Sequence, residues 1–491
     1  MAEQLSALDA TFLELEEADQ SAHMHIGGVI LLEPQPGGGA PPIDQIREDI
    51  IGRLPGLPRY CQRLSTPHTH GLRFPSWEQE ALFAVDRHVF TAGLPAPGGR
   101  QELLEWAGEY YSQRLDRTKP LWEMVVLELA DGHWAVVTKT HHCMIDGIGS
   151  VDIAQTLLDP RPDRPTRPTT NGDRPSAPLL EGTVLQAPAW RRAAARVAAP
   201  GIRVGHAAVR AAQAGLHAAE SAAGTAAHPQ RARQALQHSR ALAEVIIRDE
   251  LVAAPRTSIN EPISGKRRLA VLEADLDELK RIKRELGGTV NDVVLAVTTG
   301  GLRRLLLHRN EEPPEQGLRA MVPVNLRTAG DRLALGNRIS SLFVHLPVAA
   351  ADPEERYRLQ VEEAETLKSG TQSVGSSTLI ELAGHLPPVL HSFVARSLFA
   401  TRLFNVTITN VPGPQTPLYY FGSKVEEIWP LVPIAAEHAI GLAVFSYDGT
   451  LFFCINADRD SCHDLDVLAD GIAESLTELG EMAAAPAGER G

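Results

Sequence analysis

The stretch His141-His142-Cys143-Met144-Ile145-Asp146-Gly147 follows two short runs of strand-type residues and decides how the chain is interpreted. The runs are residues 122–129 and 134–140, and the turn dipeptide Asp131-Gly132 separates them. This pattern predicts a hairpin that carries two adjacent histidines to the end of a sheet. Because neighbouring strand residues point to opposite faces, only one histidine can face a substrate. The other is expected to be packed or hydrogen-bonded behind it.

A histidine held at a strand end is suited to act as a general base, since its ordinary pKa lies near neutrality. Asp146 follows closely enough to fix the loop or the imidazole tautomer. A metal site is disfavoured, because adjacent histidines ligate one ion poorly and no third ligand is near in sequence. A serine hydrolase is disfavoured too, because residues 147–151 are not a G-x-S-x-G elbow. Two core histidines beside a turn remain a purely structural alternative.

Mixed helix and strand signals extend outward from this motif on both sides. Residues 101–117 repeat apolar positions at helical spacing, and residues 27–32 read as a short strand. Further along, a helix is predicted at 276–286 with Asp275 as its N-cap, followed by an apolar helix that ends at Leu307. Strand-like runs complete the second block, with the hairpin dipeptide Asp448-Gly449 between the last two: 318–324, 340–347, 406–411, 441–447 and 451–457.

Composition divides the chain into two folded blocks and a connector. With 491 residues it is too long for one typical core. We expect a first domain at 1–160 and a second at 256–482, with a disordered tail at 483–491. The connector at 161–255 opens with a Pro-rich linker and continues as Ala-rich, basic crossover helices.

Charge and residue content exclude several classes of protein. The net charge of -14 argues against nucleic acid as a partner, because a nucleic-acid binder needs a basic face. The four cysteines show neither zinc-ribbon nor disulfide-framework spacing, which favours a reduced, cytoplasmic setting. The first residues lack the pattern of a signal peptide. No run of eighteen apolar residues exists, and the apolar stretch at 428–445 is broken by prolines and charges, so no membrane span is expected.

Residues 141–147 match HHxxxDG, the active-site signature of the CoA-dependent acyltransferase superfamily. That superfamily includes chloramphenicol acetyltransferases, plant acyltransferases and peptide-synthetase condensation domains. Further segments resemble, in the same order, the bacterial wax ester synthase/diacylglycerol acyltransferase family of the actinobacterial triacylglycerol synthase type. These segments are 5–13, 114–117, 120–123, 289–293, 322–327, 336–337 and 409–414. The motif alone is moderately specific, whereas the ordered set spans nearly the whole chain and is highly specific.

The resemblance implies an α/β (α+β) fold of two chloramphenicol-acetyltransferase-like domains with mixed sheets and an active-site tunnel between them. His142, with His141 beside it, would supply the general base. Asp146 would hold the loop, and the backbone N–H groups around Gly147 are candidates to stabilise the developing negative charge.

Two further segments carry predicted substrate-binding residues. Asn291 and Asp292 match a pair that the family needs for activity and would close the site from the second domain. Pro120, Leu121 and Trp122 would line an acyl channel, although a buried strand start explains them equally well. The Asn291 side chain is a second candidate to stabilise the developing charge.

The resemblance also implies an activity: transfer of a long-chain fatty acyl group from acyl-CoA to diacylglycerol, with fatty alcohols as further acceptors. No cofactor or metal is expected, and acyl-CoA is a co-substrate. The alternatives are a condensation-type or small-alcohol acyltransferase with the same base, and a non-catalytic lipid-surface protein. Attachment to the inner membrane face or to lipid droplets is expected to be peripheral, and the basic stretch at 190–240 is a candidate contact.

Overall fold

A computed structural model describes residues 3–65, 74–144, 157–163, 254–325, 339–369 and 403–485. Asp146, Gly147 and the basic stretch at 190–240 lie outside these ranges. The described helices are α1 (Ala7–Ala18), α2 (Ile43–Arg53), α3 (Arg100–Tyr111), α4 (Leu276–Leu286), α5 (Val290–His308), α6 (Pro353–Ser369) and α7 (Leu465–Ala484).

Strands of the described ranges fall into the two blocks that the sequence predicts. In the first block they are β1 (His25–Leu32), β2 (Gln62–Leu64), β3 (Trp77–Gln79), β4 (Val89–Ala92), β5 (Trp122–Glu128) and β6 (Trp134–His141). In the second they are β7 (Arg267–Asp275), β8 (Leu318–Asn325), β9 (Ile339–Leu346), β10 (Val406–Pro412), β11 (Tyr419–Tyr420), β12 (Ser423–Leu431), β13 (Ile440–Tyr447) and β14 (Thr450–Asp458).

Two mixed six-stranded sheets form the framework of the described chain. The first has the strand order β11-β12-β1-β6-β5-β4, with only β4 and β5 parallel. The second has the order β7-β14-β13-β10-β8-β9, in which β10 runs parallel to both of its neighbours. The expected mixed α/β fold with two sheet-rich domains is confirmed.

Strand β12 leaves the C-terminal block and completes the first sheet. It pairs antiparallel with β1, and Gly28 lies opposite Pro430. No strand is predicted at 423–431, which is wrong because β12 forms there, whereas the strand predicted at 441–447 is present as β13. In the described part of the chain, β11 pairs only with Ser423 and Lys424 at the start of β12, so one edge of β12 near Pro430 has no partner strand, a setting in which sheets tolerate proline. The predicted domain ranges 1–160 and 256–482 do not include this contribution of a C-terminal strand to the first sheet.

Helix α1 bridges the cores of the two domains. Leu13 is buried in the core of the first domain, whereas Leu15 is buried in the core of the second. Phe12, one residue before Leu13, is half-buried and packs against both cores. The N-terminal helix therefore lies along the seam where the domains meet.

Local signals predicted several element boundaries correctly. Helix α4 spans Leu276–Leu286, and the Asp275 carboxylate accepts a hydrogen bond from the N–H of Asp277, as an N-cap should. Asp448 and Gly449 both have positive φ, at 45° and 87°, and connect β13 to β14 in a tight hairpin.

The predicted helix at 101–117 is too long at its C-terminal end, because α3 ends at Tyr111. The buried Lys139 side chain donates to the carbonyl oxygens of Tyr110 and Gln113 at 3.0 Å each, so side-chain bonds replace the next helical turn. Residues after this point turn toward α1. At the other end of the chain, α7 continues to Ala484, two residues into the predicted tail.

Candidate active site

His142 lies in the turn that follows β6. Its backbone N–H donates to the carbonyl oxygen of Met24 at 2.8 Å. Its imidazole stacks on the ring of Phe12, with the centroids 3.9 Å apart and the planes inclined by 11°. His142 keeps part of its surface accessible to solvent, whereas His141 is only 1% exposed. Of the two adjacent histidines, His142 is therefore the accessible one.

The surroundings of His142 belong to both domains. Met24 is buried in the second core, and Cys143 is buried in the first. Phe12, which packs against both cores, forms the surface on which the imidazole rests. His142 thus lies at the domain seam, while the tunnel that the resemblance implies stays a prediction.

His141 is buried against α1 and has both ring nitrogens engaged. Its Nδ1 accepts the backbone N–H of Cys143 at 3.2 Å, so its Nε2 carries the hydrogen. That Nε2–H donates to a carboxylate oxygen of Glu16 at 2.5 Å. Burial lowers the pKa of His141, so the ring is neutral at physiological pH. Through Cys143, His141 anchors the turn that presents His142.

Glu16 is a buried carboxylate that the sequence analysis did not single out. Besides His141, it binds Arg114 at 3.2 Å and Arg117 at 3.1 Å. Burial alone would raise the pKa of Glu16, but the hydrogen bond from His141 and the nearby positive charges lower it far below its usual range. Glu16 is therefore ionised and fixes the His141 tautomer. The segment 114–117, noted only for its resemblance, supplies the arginines.

One face of α1 contacts both histidines. Phe12 and Glu16 are four residues apart, which places them one above the other on a helix. Phe12 contacts the imidazole of His142, and Glu16 binds the imidazole of His141. The helix therefore contacts both rings of the pair.

Pro120, Leu121 and Trp122 are buried at the start of β5. The Leu121 carbonyl accepts the backbone N–H of His141 at 2.9 Å. The indole N–H of Trp122 donates to the carbonyl of Tyr60 at 2.8 Å. Leu121 thus supports the strand end beneath the histidines, and Trp122 faces a cavity.

This cavity lies between the first sheet and α2. Its volume is about 70 Å³, and most of its walls are apolar. Its floor includes Thr140, two residues before His142, beside Trp122. Its cover is formed by side chains of α2 and of the short turn after it, namely Ile50, Arg53, Leu54 and Leu57.

Asn291 and Asp292 lie at the first turn of α5. The Asp292 carboxylate accepts hydrogen bonds from the backbone N–H and the hydroxyl of Thr289, both at 2.8 Å. This is a capping box, and Asp292 is buried within it. Asn291 is only partly buried, and its amide oxygen accepts from the side chain of Asn410 at 3.4 Å. The geometry gives Asp292 a role in starting the helix, and leaves Asn291 the more accessible of the two.

Comparison with known proteins decides the family. The model of the wax ester synthase/diacylglycerol acyltransferase catalytic domain matches residues 5–294, and the model of the C-terminal domain of the same family matches residues 335–480. The chain belongs to this family. A Mycobacterium tuberculosis protein named as a probable diacylglycerol O-acyltransferase, tgs1, is 32% identical over 480 residues, which cover 97% of this chain and 95% of the relative. Its counterpart tgs2 is 30% identical over 486 residues and covers 96% and 97%.

Solved structures agree with the family at the level of the fold. The wax ester synthase/diacylglycerol acyltransferase from Marinobacter aquaeolei VT8 is 24% identical and covers 98% of this chain and 100% of its own, with a TM-score of 0.69. A starter condensation domain of rhizomide synthetase RzmA, solved with C8-CoA, is 14% identical and covers 99% and 95%, with a TM-score of 0.57.

The family's segments meet around His142 and α5, as far as the structure describes them. Residues 5–13 contribute Phe12, residues 114–117 bind Glu16, and Asn410 of 409–414 contacts Asn291. Asp146 and Gly147, together with segment 336–337, lie outside the described residues, so their predicted roles stay predictions.

Two properties of the described part of the chain bear on cofactors and membranes. No group of three His, Cys, Asp or Glu side chains within it is arranged to hold a metal ion. None of its helices is both long enough and apolar enough to cross a bilayer.

Proposed function

We propose that this chain transfers a long-chain fatty acyl group from acyl-CoA to diacylglycerol, and also accepts fatty alcohols. The observation that carries the proposal is the family match across both domains, combined with an accessible histidine at the seam between them. The two mycobacterial relatives align with this chain over nearly their whole length. Both are named as diacylglycerol O-acyltransferases, which supports diacylglycerol as the acceptor.

In the proposed reaction, His142 removes the proton of the acceptor hydroxyl as its oxygen attacks the thioester carbonyl. The new C–O ester bond forms, the C–S bond breaks, and the proton passes from the imidazolium to the departing CoA thiolate. No covalent acyl-enzyme is needed, because the thioester is already activated. His141 and Glu16 hold the turn and do not exchange protons with substrate, since both ring nitrogens of His141 are occupied.

The cavity beside Thr140 supports a long alkyl chain as part of the substrate. Its apolar walls offer the acyl chain a site sheltered from water, and Trp122 fits the predicted acyl-channel wall. The present volume of about 70 Å³ holds only a short length of chain, so we propose that α2 moves outward when a long acyl group enters.

The deciding experiment is incubation of the purified chain with labelled palmitoyl-CoA and a panel of acceptors, followed by separation of the lipid products and measurement of CoA release. Triacylglycerol from diacylglycerol, with wax ester from hexadecanol, is the expected result. Esters of short alcohols alone would instead indicate a small-alcohol acyltransferase. Amide formation on an aminoacyl acceptor would indicate condensation chemistry, and no acceptor-dependent CoA release would indicate a non-catalytic lipid-surface protein.

Filling the cavity is expected to shift acyl-chain preference. Ile50 lines the cavity and is 3% exposed, so Ile50→Phe places extra volume where the acyl chain would lie. The ratio of kcat/KM for palmitoyl-CoA over decanoyl-CoA should fall about tenfold, the effect of excluding roughly two methylene groups. Ile51→Phe is the matched control on the same helix, because Ile51 is 51% exposed and does not line the cavity. An unchanged ratio in a folded Ile50→Phe protein would place the acyl chain elsewhere.

We also propose that the chain works in the cytoplasm, at the surface of the inner membrane or of lipid droplets. Diacylglycerol is scarcely soluble as a monomer, so an enzyme that uses it must take it from a lipid surface. Contact would be peripheral, through the basic stretch at 190–240 and apolar side chains near the site. Each arginine near an anionic surface contributes about 1 kcal/mol, and the contribution weakens as salt screens it.

Flotation with anionic and neutral liposomes tests this contact. We expect the protein to float with anionic vesicles at low salt and to be released at high salt. Changing Arg191, Arg192, Arg196, Arg203 and Arg210 to Gln should weaken the flotation in the same way. Binding that ignores both salt and these substitutions would assign the contact to apolar side chains alone.

A further inference from the structure

The contact between Phe12 and His142 is the closest stacking among the rings of the described residues. The two rings are nearly parallel, with centroids 3.9 Å apart. Phe12 belongs to α1, is partly buried and packs against both cores, which restrains its ring. The reaction proposed for His142 does not itself require this contact.

We propose that Phe12 is a positioning residue for the base that the proposed function assigns to His142. Its ring sets the plane of the imidazole and stabilises the imidazolium that forms when the alcohol proton is taken. This inference rests on the proposed function, because it concerns the protonated state of His142 during turnover.

Two physical effects follow from the stacked geometry. Rotation of the imidazole about its last side-chain bond would break the ring contact, so the contact favours one ring orientation. A positive charge over the face of an aromatic ring within about 6 Å is attracted by the ring quadrupole, more strongly where water is partly excluded. Partial burial at the seam disfavours the charged imidazolium, and the Phe12 face offsets that penalty.

Phe12→Leu separates these effects from simple packing, because leucine keeps the site apolar while removing the aromatic face. We expect kcat to fall about 5- to 30-fold with little change in KM, the range expected from losing a partly buried cation–π contact. The acid limb of the pH–rate profile should move to lower pH, since the imidazolium loses stabilisation. Phe12→Tyr keeps the face and should restore both kcat and the profile.

Phe90→Leu is the matched control. Phe90 is half-buried, and the Nζ of Lys119 lies 5.6 Å from its ring centroid, so the control also removes a cation–π contact, on the edge strand β4. It should keep the wild-type kcat and pH profile. Melting temperatures of all variants show whether the fold is kept.

Three outcomes separate this inference from the proposed function. If Phe12→Leu lowers kcat equally at every pH and Phe12→Tyr fails to restore it, Phe12 acts only in packing and the inference is wrong. If Phe12→Leu is fully active while His142→Ala is inactive, the inference is again wrong and the proposed base stands. If His142→Ala itself keeps full turnover, the proposed base falls, and the inference with it.

Discussion

His142→Ala should abolish acyl transfer while leaving the protein folded. Loss of a general base typically lowers the rate by about 10²- to 10⁴-fold. The fold should survive because the backbone N–H of His142, which alanine retains, makes the bond to Met24. The measurement is kcat with palmitoyl-CoA and diacylglycerol, together with the melting temperature. Near-full turnover in this variant would remove His142 from the mechanism.

His141→Ala is the matched control for that experiment. It removes the neighbouring imidazole, so that Glu16 loses one of its hydrogen-bond donors and the N–H of Cys143 loses the acceptor at His141. We expect a clear drop in melting temperature. Activity should also fall, because the turn that carries His142 is held less firmly, but by less than in His142→Ala. A stable His141→Ala protein whose catalytic loss equals that of His142→Ala would contradict the division of roles between the two histidines.

Glu16→Ala should destabilise the protein and lower its activity together. Removing the carboxylate leaves the buried His141 N–H without its acceptor and removes one ion-pair partner from each of the two arginines. Breaking a buried ion pair costs about 3–5 kcal/mol, and we expect the lower end because both arginines keep about a third of their side chains in water. Activity should fall about 10- to 100-fold, as when the carboxylate that orients a metal-bound histidine is removed.

Glu16→Gln and Glu17→Gln separate the hydrogen bond from the charge. Glutamine at position 16 can still accept from His141, so it should recover more activity than alanine while the arginine pairing stays weakened. Glu17 pairs with Arg117 from the partly exposed next position, and Glu17→Gln should cost less than about 1 kcal/mol. Equal losses in the two glutamine variants would show that only surface charge matters here.

The pH dependence of stability gives an independent check on Glu16. Its pKa is lowered in the folded state, so its stabilising contribution is fully present above its ordinary value near 4.5. The contribution is lost as the pH falls below that value, because the unfolded chain then binds the proton and the folded chain does not. The difference in unfolding free energy between wild type and Glu16→Gln should therefore shrink on acidification, as measured by urea unfolding at several pH values.

Elements with strong local signals could be predicted from the sequence. The hairpin that ends at the histidine pair, the Asp275 cap and the Asp448-Gly449 turn all depend on residues a few positions apart. Their side-chain chemistry selects the backbone conformation directly, so no knowledge of the rest of the fold is needed.

Features made by distant partners could not be predicted in this way. Glu16 is unremarkable as a surface-type residue on a helix until His141, 125 positions later, is placed against it. Strand β12 carries Glu426, Glu427 and Pro430, which weaken any local strand signal, and it forms because β1 needs a partner. In the sequence, Phe12 is one apolar residue of the segment 5–13, and nothing local shows that it contacts His142. The sequence located the histidines, and the tertiary structure revealed what holds them.

The contribution of β12 to the first sheet also affects how the chain folds during its synthesis. The partner of β1 on one side, β6, is synthesised early, but β12 on its other side ends only at Leu431, 290 residues after His141. At typical elongation rates of about 5–20 residues per second, that delay lasts roughly 15–60 s. During this interval the nascent first domain has an unpaired strand edge next to the histidine-bearing strand, the kind of edge that invites aggregation. Completion of the catalytic half of the protein therefore waits for the C-terminal half to leave the ribosome.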